Sequence, residues 1–150
     1  MPATRIASSG DRTLLTPIEK TVITLVAGGL SNNEAAHRLR VRPEVISQHL
    51  TSIGRKLGSG SRPDHVRAAL MTGQITVPLP PGDAPVFTAP ELRLLRAIAW
   101  HALLGDIAAA AGVPQRDVDG EAARLVEKSG ARDRAQLVAF AYAWELLDPR

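Results

Sequence analysis

The sequence predicts an all-α protein of two tandem four-helix units joined by a proline-rich linker. Three observations carry this expectation. No segment shows the period-two alternation of a half-buried strand, whereas apolar residues recur at helical spacing. Four prolines between residues 76 and 85 cannot continue a helix and favour an extended spacer. Sliding the chain by 72 residues aligns 15–75 with 87–147 without a gap, giving ten identities in 61 positions. These include Thr16/Thr88, Glu19/Glu91, Lys56/Lys128, Gly58/Gly130 and Arg62/Arg134. The implied boundaries are a flexible lead over 1–12, a first unit over 13–76, a linker over 77–86 and a diverged copy over 87–150.

In the first unit, Thr16 is placed to cap a helix with Pro17 at its first position and Glu19 at its third, a capping box. Val22, Ile23, Leu25 and Val26 supply its apolar face, and Gly28-Gly29 ends it. Ser31 caps a second helix, with Glu34 three residues on and Ala35, Ala36 and Leu39 turned inward. Arg40-Val41-Arg42 reads as a tight turn with Val41 as its apolar plug. Pro43 opens a third helix lasting to Leu57-Gly58, and Ser61 or Arg62 starts a fourth that reaches about Thr72. The second unit repeats this plan, with an Ala-rich helix before Gly112-Val113-Pro114 and a third helix from about Gln115.

Composition narrows the function. The 150 residues are 45% hydrophobic, 22% charged and 3% aromatic, ordinary for a folded chain. Cysteine is absent, which excludes disulfides, thiolate metal sites and a cysteine nucleophile and suits a cytoplasmic setting. The longest apolar run, over 137–147, is far shorter than the ~20 residues of a membrane span. His37, His49, His65 and His101 form no ligand spacing, and no phosphate-cradling loop or catalytic triad order stands out, so neither enzyme nor cofactor is expected. The net charge of +3 is unevenly spread. Residues 1–86 carry ten Lys/Arg against six Asp/Glu, a balance of +4, and 87–150 carry eight against nine, a balance of −1. All five aromatics lie in the second half.

A short helix, a three-residue turn and a longer helix make a helix-turn-helix arrangement. Leu15-Thr16-Pro17-x-Glu19, Gly29-Leu30-Ser31-Asn32-x-Glu34-x-Ala36, Pro43-Glu44-Val45, His49-Leu50, Arg55-Lys56-Leu57-Gly58 and Ser61-Arg62 together resemble the LuxR/GerE-type DNA-binding domain of bacterial regulators. The resemblance covers nearly all of 14–76. The third helix carries an independent argument: Ile46, Leu50, Ile53 and Leu57 form a buried seam, leaving Ser47, Gln48, Thr51 and Arg55 on the polar side. Such a helix fits the major groove of double-stranded DNA, where Gln48 can read adenine bidentately and Ser47 and Thr51 can reach base edges. The resemblance likewise puts Ser47, Gln48 and Thr51 against bases. Arg55, Lys56, Ser31, Asn32 and Thr16 are candidates for phosphate contact, the second helix's free N–H groups adding to Ser31 and Asn32. Gly54 departs from the family pattern and costs a mid-helix position about 1 kcal/mol relative to Ala.

In the second unit the positions of Ser47, Gln48, His49 and Thr51 are taken by Asp119, Gly120, Glu121 and Ala123, with Asp117 and Glu127 nearby. Carboxylates facing phosphates are repelled, so this copy is expected to bind little or no DNA. Its last helix carries apolar residues nearly all round. Leu137, Phe140, Tyr142, Trp144 and Leu147 are therefore candidates for an interaction or dimerisation surface. Either the halves pack as an intramolecular pseudo-dimer, or the second halves pair two chains into a homodimer reading two half-sites. Only a short lead precedes the first unit in this sequence, so control by a preceding receiver or ligand-binding domain is not expected. The leading expectation is a sequence-specific transcriptional regulator. The alternative is a non-enzymatic protein-interaction module that keeps the fold and docks another regulator or the transcription machinery through its second half.

Overall fold

The computed structural model describes residues 13–76 and 79–147. The expected lead over 1–12 and the first two linker residues lie outside them. The described residues hold eight α-helices and no strand: α1 (Pro17–Ala27), α2 (Asn32–Leu39), α3 (Pro43–Leu57), α4 (Arg62–Met71), α5 (Ala89–Trp100), α6 (Leu104–Ala111), α7 (Val118–Ser129) and α8 (Arg134–Ala143). A 3-10 turn, Gln115–Asp117, precedes α7.

The helix starts are where side chains satisfy the otherwise orphaned N–H groups. Thr16/Glu19, Ser31/Glu34 and Thr88/Glu91 are complete capping boxes. Replacing such a cap by alanine costs about 1 kcal/mol. At the end of α2 the chain turns through Arg40 at φ +60°, whereas the equivalent residue after α6 is Gly112 at φ +72°. A β-carbon in that region costs about 1 kcal/mol, so the first half holds this turn at some strain. Val41 was expected to plug the turn, but it is 38% exposed; the turn closes instead through its N–H, which donates to Ala36 O at 3.0 Å. The third helix of the second half also begins differently from expectation. Its proline falls one position earlier, at Pro114 where the first half has Arg42, and the chain winds a 3-10 turn before α7.

The buried side chains form one contiguous cluster running through both halves. In α3, Ile46, Leu50 and Ile53 are buried as the spacing requires, with Leu57 partly covered. The two halves meet most extensively along α4 and α8, flanked by α4 against α5 and α1 against α8. Leu137, Phe140 and Leu147 are thus buried within the chain, and Tyr142 and Trp144 half-buried. These five are candidates for an interaction or dimerisation surface; in the structure they pack within the chain, where six of the ten α8 residues are buried. Trp144 packs on Phe87 and Phe140, with ring centroids 6.4 and 5.6 Å away, and its Nε1 donates to Gly82 O at 2.9 Å. That bond fastens the linker to the second half.

Candidate nucleic-acid interface

The exposed side of α3 is held by three connections to the body of the first half. Glu19 is the hub of one. Its Oε1 accepts from the Thr16 N–H at 2.9 Å and from Lys56 Nζ at 2.7 Å, and its Oε2 from Ser52 Oγ at 2.7 Å. One buried carboxylate therefore caps α1 and ties it to α3. Burial alone would push the Glu19 carboxyl up. The bonds from Lys56, Thr16 and Ser52, with the Lys56 charge, outweigh it and bring the pKa down to about 2.

The second connection runs through Asn32 at the start of α2. Arg62 donates to Asn32 Oδ1 and, at 2.8 Å, to Leu30 O, while Asn32 Nδ2 donates to Ser47 Oγ at 3.1 Å. An arginine on α4 thereby ties the start of α2 to the exposed face of α3. The third explains Gly54. A β-carbon there would lie 2.7 Å from His65 Cε1 and 2.8 Å from Ser59 O. The mid-helix glycine is a packing requirement: it admits the His65 ring, whose Nδ1 is 2.6 Å from Ser59 Oγ. Burial pushes the His65 pKa down.

Ser47, Gln48, Thr51 and Arg55 are all exposed along one side of α3. Thr51 Oγ1 donates to Ser47 O at 3.0 Å, a bond local to α3. Gln48 and Arg55 make no side-chain hydrogen bond or ion pair with another described residue. Ser31 and Thr16 act as helix caps, their hydroxyls accepting from Glu34 and Glu19 N–H at 3.1 and 3.2 Å. Lys56 is turned inward to Glu19 and is 23% exposed. Arg38, Arg40 and Arg42, exposed at the α2–α3 turn, were not singled out in the sequence, although their alternation in 38–42 marks a cationic rim. Arg62 and Glu19 were also missed as braces, though both stood among the repeated identities. Among the described residues no cluster of His, Asp or Glu could hold a metal, and no helix is long and apolar enough to cross a membrane.

A family model described as bacterial regulatory proteins, luxR family, matches residues 13–69. Residues 13–69 are a luxR-type helix-turn-helix domain. The luxR-type match ends inside α4 and does not extend to the second half. Among curated proteins, the putative HTH-type transcriptional regulators Mb0914c of Mycobacterium bovis and MT0914 of Mycobacterium tuberculosis are each 46% identical over 59 residues, covering 39% of this chain and 7% of theirs. The transcriptional regulatory protein YdfI of Bacillus subtilis is 34% identical over 73 residues, covering 49% of this chain and 34% of that protein. The chain thus spans only a small part of the relatives it matches. No solved structure matches it.

Proposed function

We propose that the chain is a sequence-specific, DNA-binding transcriptional regulator whose α3 enters the major groove. The observation that carries this reading is the two-sidedness of α3. Ile46, Leu50 and Ile53 fix it to the core while Ser47, Gln48, Thr51 and Arg55 face outward on a rigid support. Gln48 presents a donor and an acceptor suited to adenine, and Ser47 and Thr51 contact neighbouring base edges. Arg55 meets a phosphate, as do Ser31, Asn32 and the first N–H groups of α2, with Thr16 at the start of α1 as a further contact. Lys56 contributes by positioning, since the same Glu–Lys pair recurs in the second half as Glu91–Lys128. The second half is a diverged module that assists by packing and reads no bases, and the protein works on DNA in the cytoplasm.

Selection of bound duplexes from a random pool, followed by anisotropy titrations, tests the reading. Binding should weaken steeply with salt. Gln48→Ala should change the preferred sequence by about 1–3 kcal/mol at one position, whereas Arg55→Ala should weaken binding to every sequence alike. Indifference to both changes would overturn the assignment of α3. Failure of the whole chain to bind any duplex would favour a protein-interaction module instead.

A further inference from the structure

We infer that the second half stands in for a second subunit, so that the protein is a built-in pair with one reading helix and binds a single half-site as a monomer. The DNA part of this inference rests on the function proposed above; the pairing rests on contacts alone.

Six of the ten α4 residues are buried, and they lie all round the helix rather than along one stripe. It packs on α1 and α3 of its own half and on α5 and α8 of the other. In α8 six of ten are likewise buried. The α4–α8 contact therefore covers, within the chain, the side of α4 that its own half leaves open. At the level of helices, though not of individual side chains, the contacts around it follow the 72-residue repeat. On one flank, Arg67 of α4 donates from Nε to Ala99 O at 3.0 Å, at the end of α5, and its guanidinium lies 3.9 Å from the centre of the Trp100 ring. On the other, Gln136 of α8 donates from Nε2 to Gly28 O at 3.2 Å, just past the end of α1. Shifting either set by 72 residues exchanges α4 against α5 for α8 against α1. Reciprocal contacts of this kind define a two-fold, self-complementary interface between identical subunits; here they are made within one chain.

The pairing leaves both third helices out of the contact. α3 packs only within the first half and α7 only within the second. Their outer faces differ in chemistry. Where the first half presents Ser31, Asn32, Ser47, Gln48, Thr51 and Arg55, the second presents Leu103, Leu104, Asp119, Gly120, Ala123 and Glu127. Leu103 is 68% and Leu104 38% exposed. A phosphate backbone meets several carboxylates along that face, and the arginines beside it, Arg134 and Arg124, are taken up in ion pairs with Asp119 and Glu121. The pair is complete in shape and single in reading.

Sedimentation velocity of the full chain at tens of micromolar should give one species of 16.0 kDa. A species of about twice that mass overturns the pairing whatever happens with DNA. Titration with a selected duplex should then show one chain per duplex and protection of one half-site; two chains on an inverted repeat overturns the inference. Absence of any DNA binding sinks the α3 reading and leaves the mass to decide the pairing. A variant carrying Leu103→Ser, Leu104→Asn, Asp119→Ser, Gly120→Gln, Ala123→Thr and Glu127→Arg gives the second half the first half's face. Tested on inverted repeats of varied spacing, it should prefer one spacing to a single half-site by about tenfold or more, the gain of a linked second site. A folded variant with no such preference refutes the two-fold equivalence, and if the variant does not fold, the wild-type mass and stoichiometry still decide.

Discussion

The two halves share a frame and differ in almost everything the frame displays. Both begin with a Thr–Glu capping box, and both bridge the first helix to the third by a Glu–Lys pair, Glu19–Lys56 at 2.7 Å and Glu91–Lys128 at 2.8 Å. The first pair is sunk, its carboxylate side chain 6% exposed and also bonded to Ser52; the second is about one-third exposed and has Arg124 where Ser52 stood. Gly54 and His65 likewise become Val126 and Leu137, an apolar pair in place of a glycine against a ring. The support of a helix and the face it offers have thus changed independently. The frame of the two units persists, and the outer face of the third helix has changed.

The largest expected effect breaks that contrast at the face itself. Giving α3 the residues of α7, through Ser47→Asp, Gln48→Gly, Thr51→Ala and Arg55→Glu, should abolish specific binding. At about 1–3 kcal/mol per contact the loss exceeds roughly a thousandfold in an anisotropy titration. The helical circular dichroism should survive, because all four side chains are exposed. Loss of fold would mean that the face and its support are not separable.

Next in size is the Glu–Lys pair. Glu19→Gln leaves Lys56 facing a neutral group in a partly closed site and should cost about 2–3 kcal/mol in urea unfolding. Glu91→Gln, at an exposed pair, should cost less than about 1 kcal/mol. The Glu19 carboxyl titrates at about 2 when folded, against an ordinary value of 4.5, so the unfolded chain binds the proton more tightly. Its stabilisation is complete above about pH 5 and is lost as the pH falls through 4.5 towards 2. Stability measured over that window should fall in the wild type and fall less in Glu19→Gln. Equal slopes would remove Glu19 as the hub.

A smaller effect separates the two helix glycines. Gly54→Ala forces a β-carbon against the His65 ring and the Ser59 carbonyl and should destabilise by about 1–3 kcal/mol. Gly120→Ala meets nothing within 4 Å and should stabilise by up to about 1 kcal/mol through helix propensity. Opposite signs in thermal melts are the expected outcome; the same sign would place the Gly54 effect in propensity rather than packing.

These cases mark what the sequence could disclose. Helix starts were readable because capping is local: Thr16, Ser31 and Thr88 each reach only three residues ahead. The inner seam of α3 and its outer face followed from a single periodicity. Gly54 and His65 are eleven residues apart on different helices, and propensity alone made the glycine a cost, because nothing in the sequence shows the ring that fills its place. Arg62 to Asn32 and Lys56 to Glu19 span 30 and 37 residues, and neither the repeat nor the family resemblance showed that they pair. The apolar surround of α8 was visible, but what covers it was not. A helix apolar on all sides is equally suited to a partner chain and to the other half of its own.

The smallest expected effect tests how that cover is held. Arg132 and Glu34 join the halves at 2.9 Å, yet their side chains are 54% and 46% exposed. Exposed pairs of this kind are screened by water and salt and often contribute nothing measurable. The Ser31 N–H and then Arg132 lower the Glu34 pKa, and the first of these belongs to the α2 cap, which the substitution leaves intact. Arg132→Ala should therefore leave the melting temperature unchanged at both low and high salt. Arg67→Ala should lower it clearly, since Arg67 is partnered by the buried Asp64 and covers Trp100 across the same boundary. If Arg132→Ala instead melts early in low salt and recovers no further loss in high salt, charge rather than the α4–α8 packing joins the halves. The second half would then be a detachable neighbour of the first instead of its fixed counterpart.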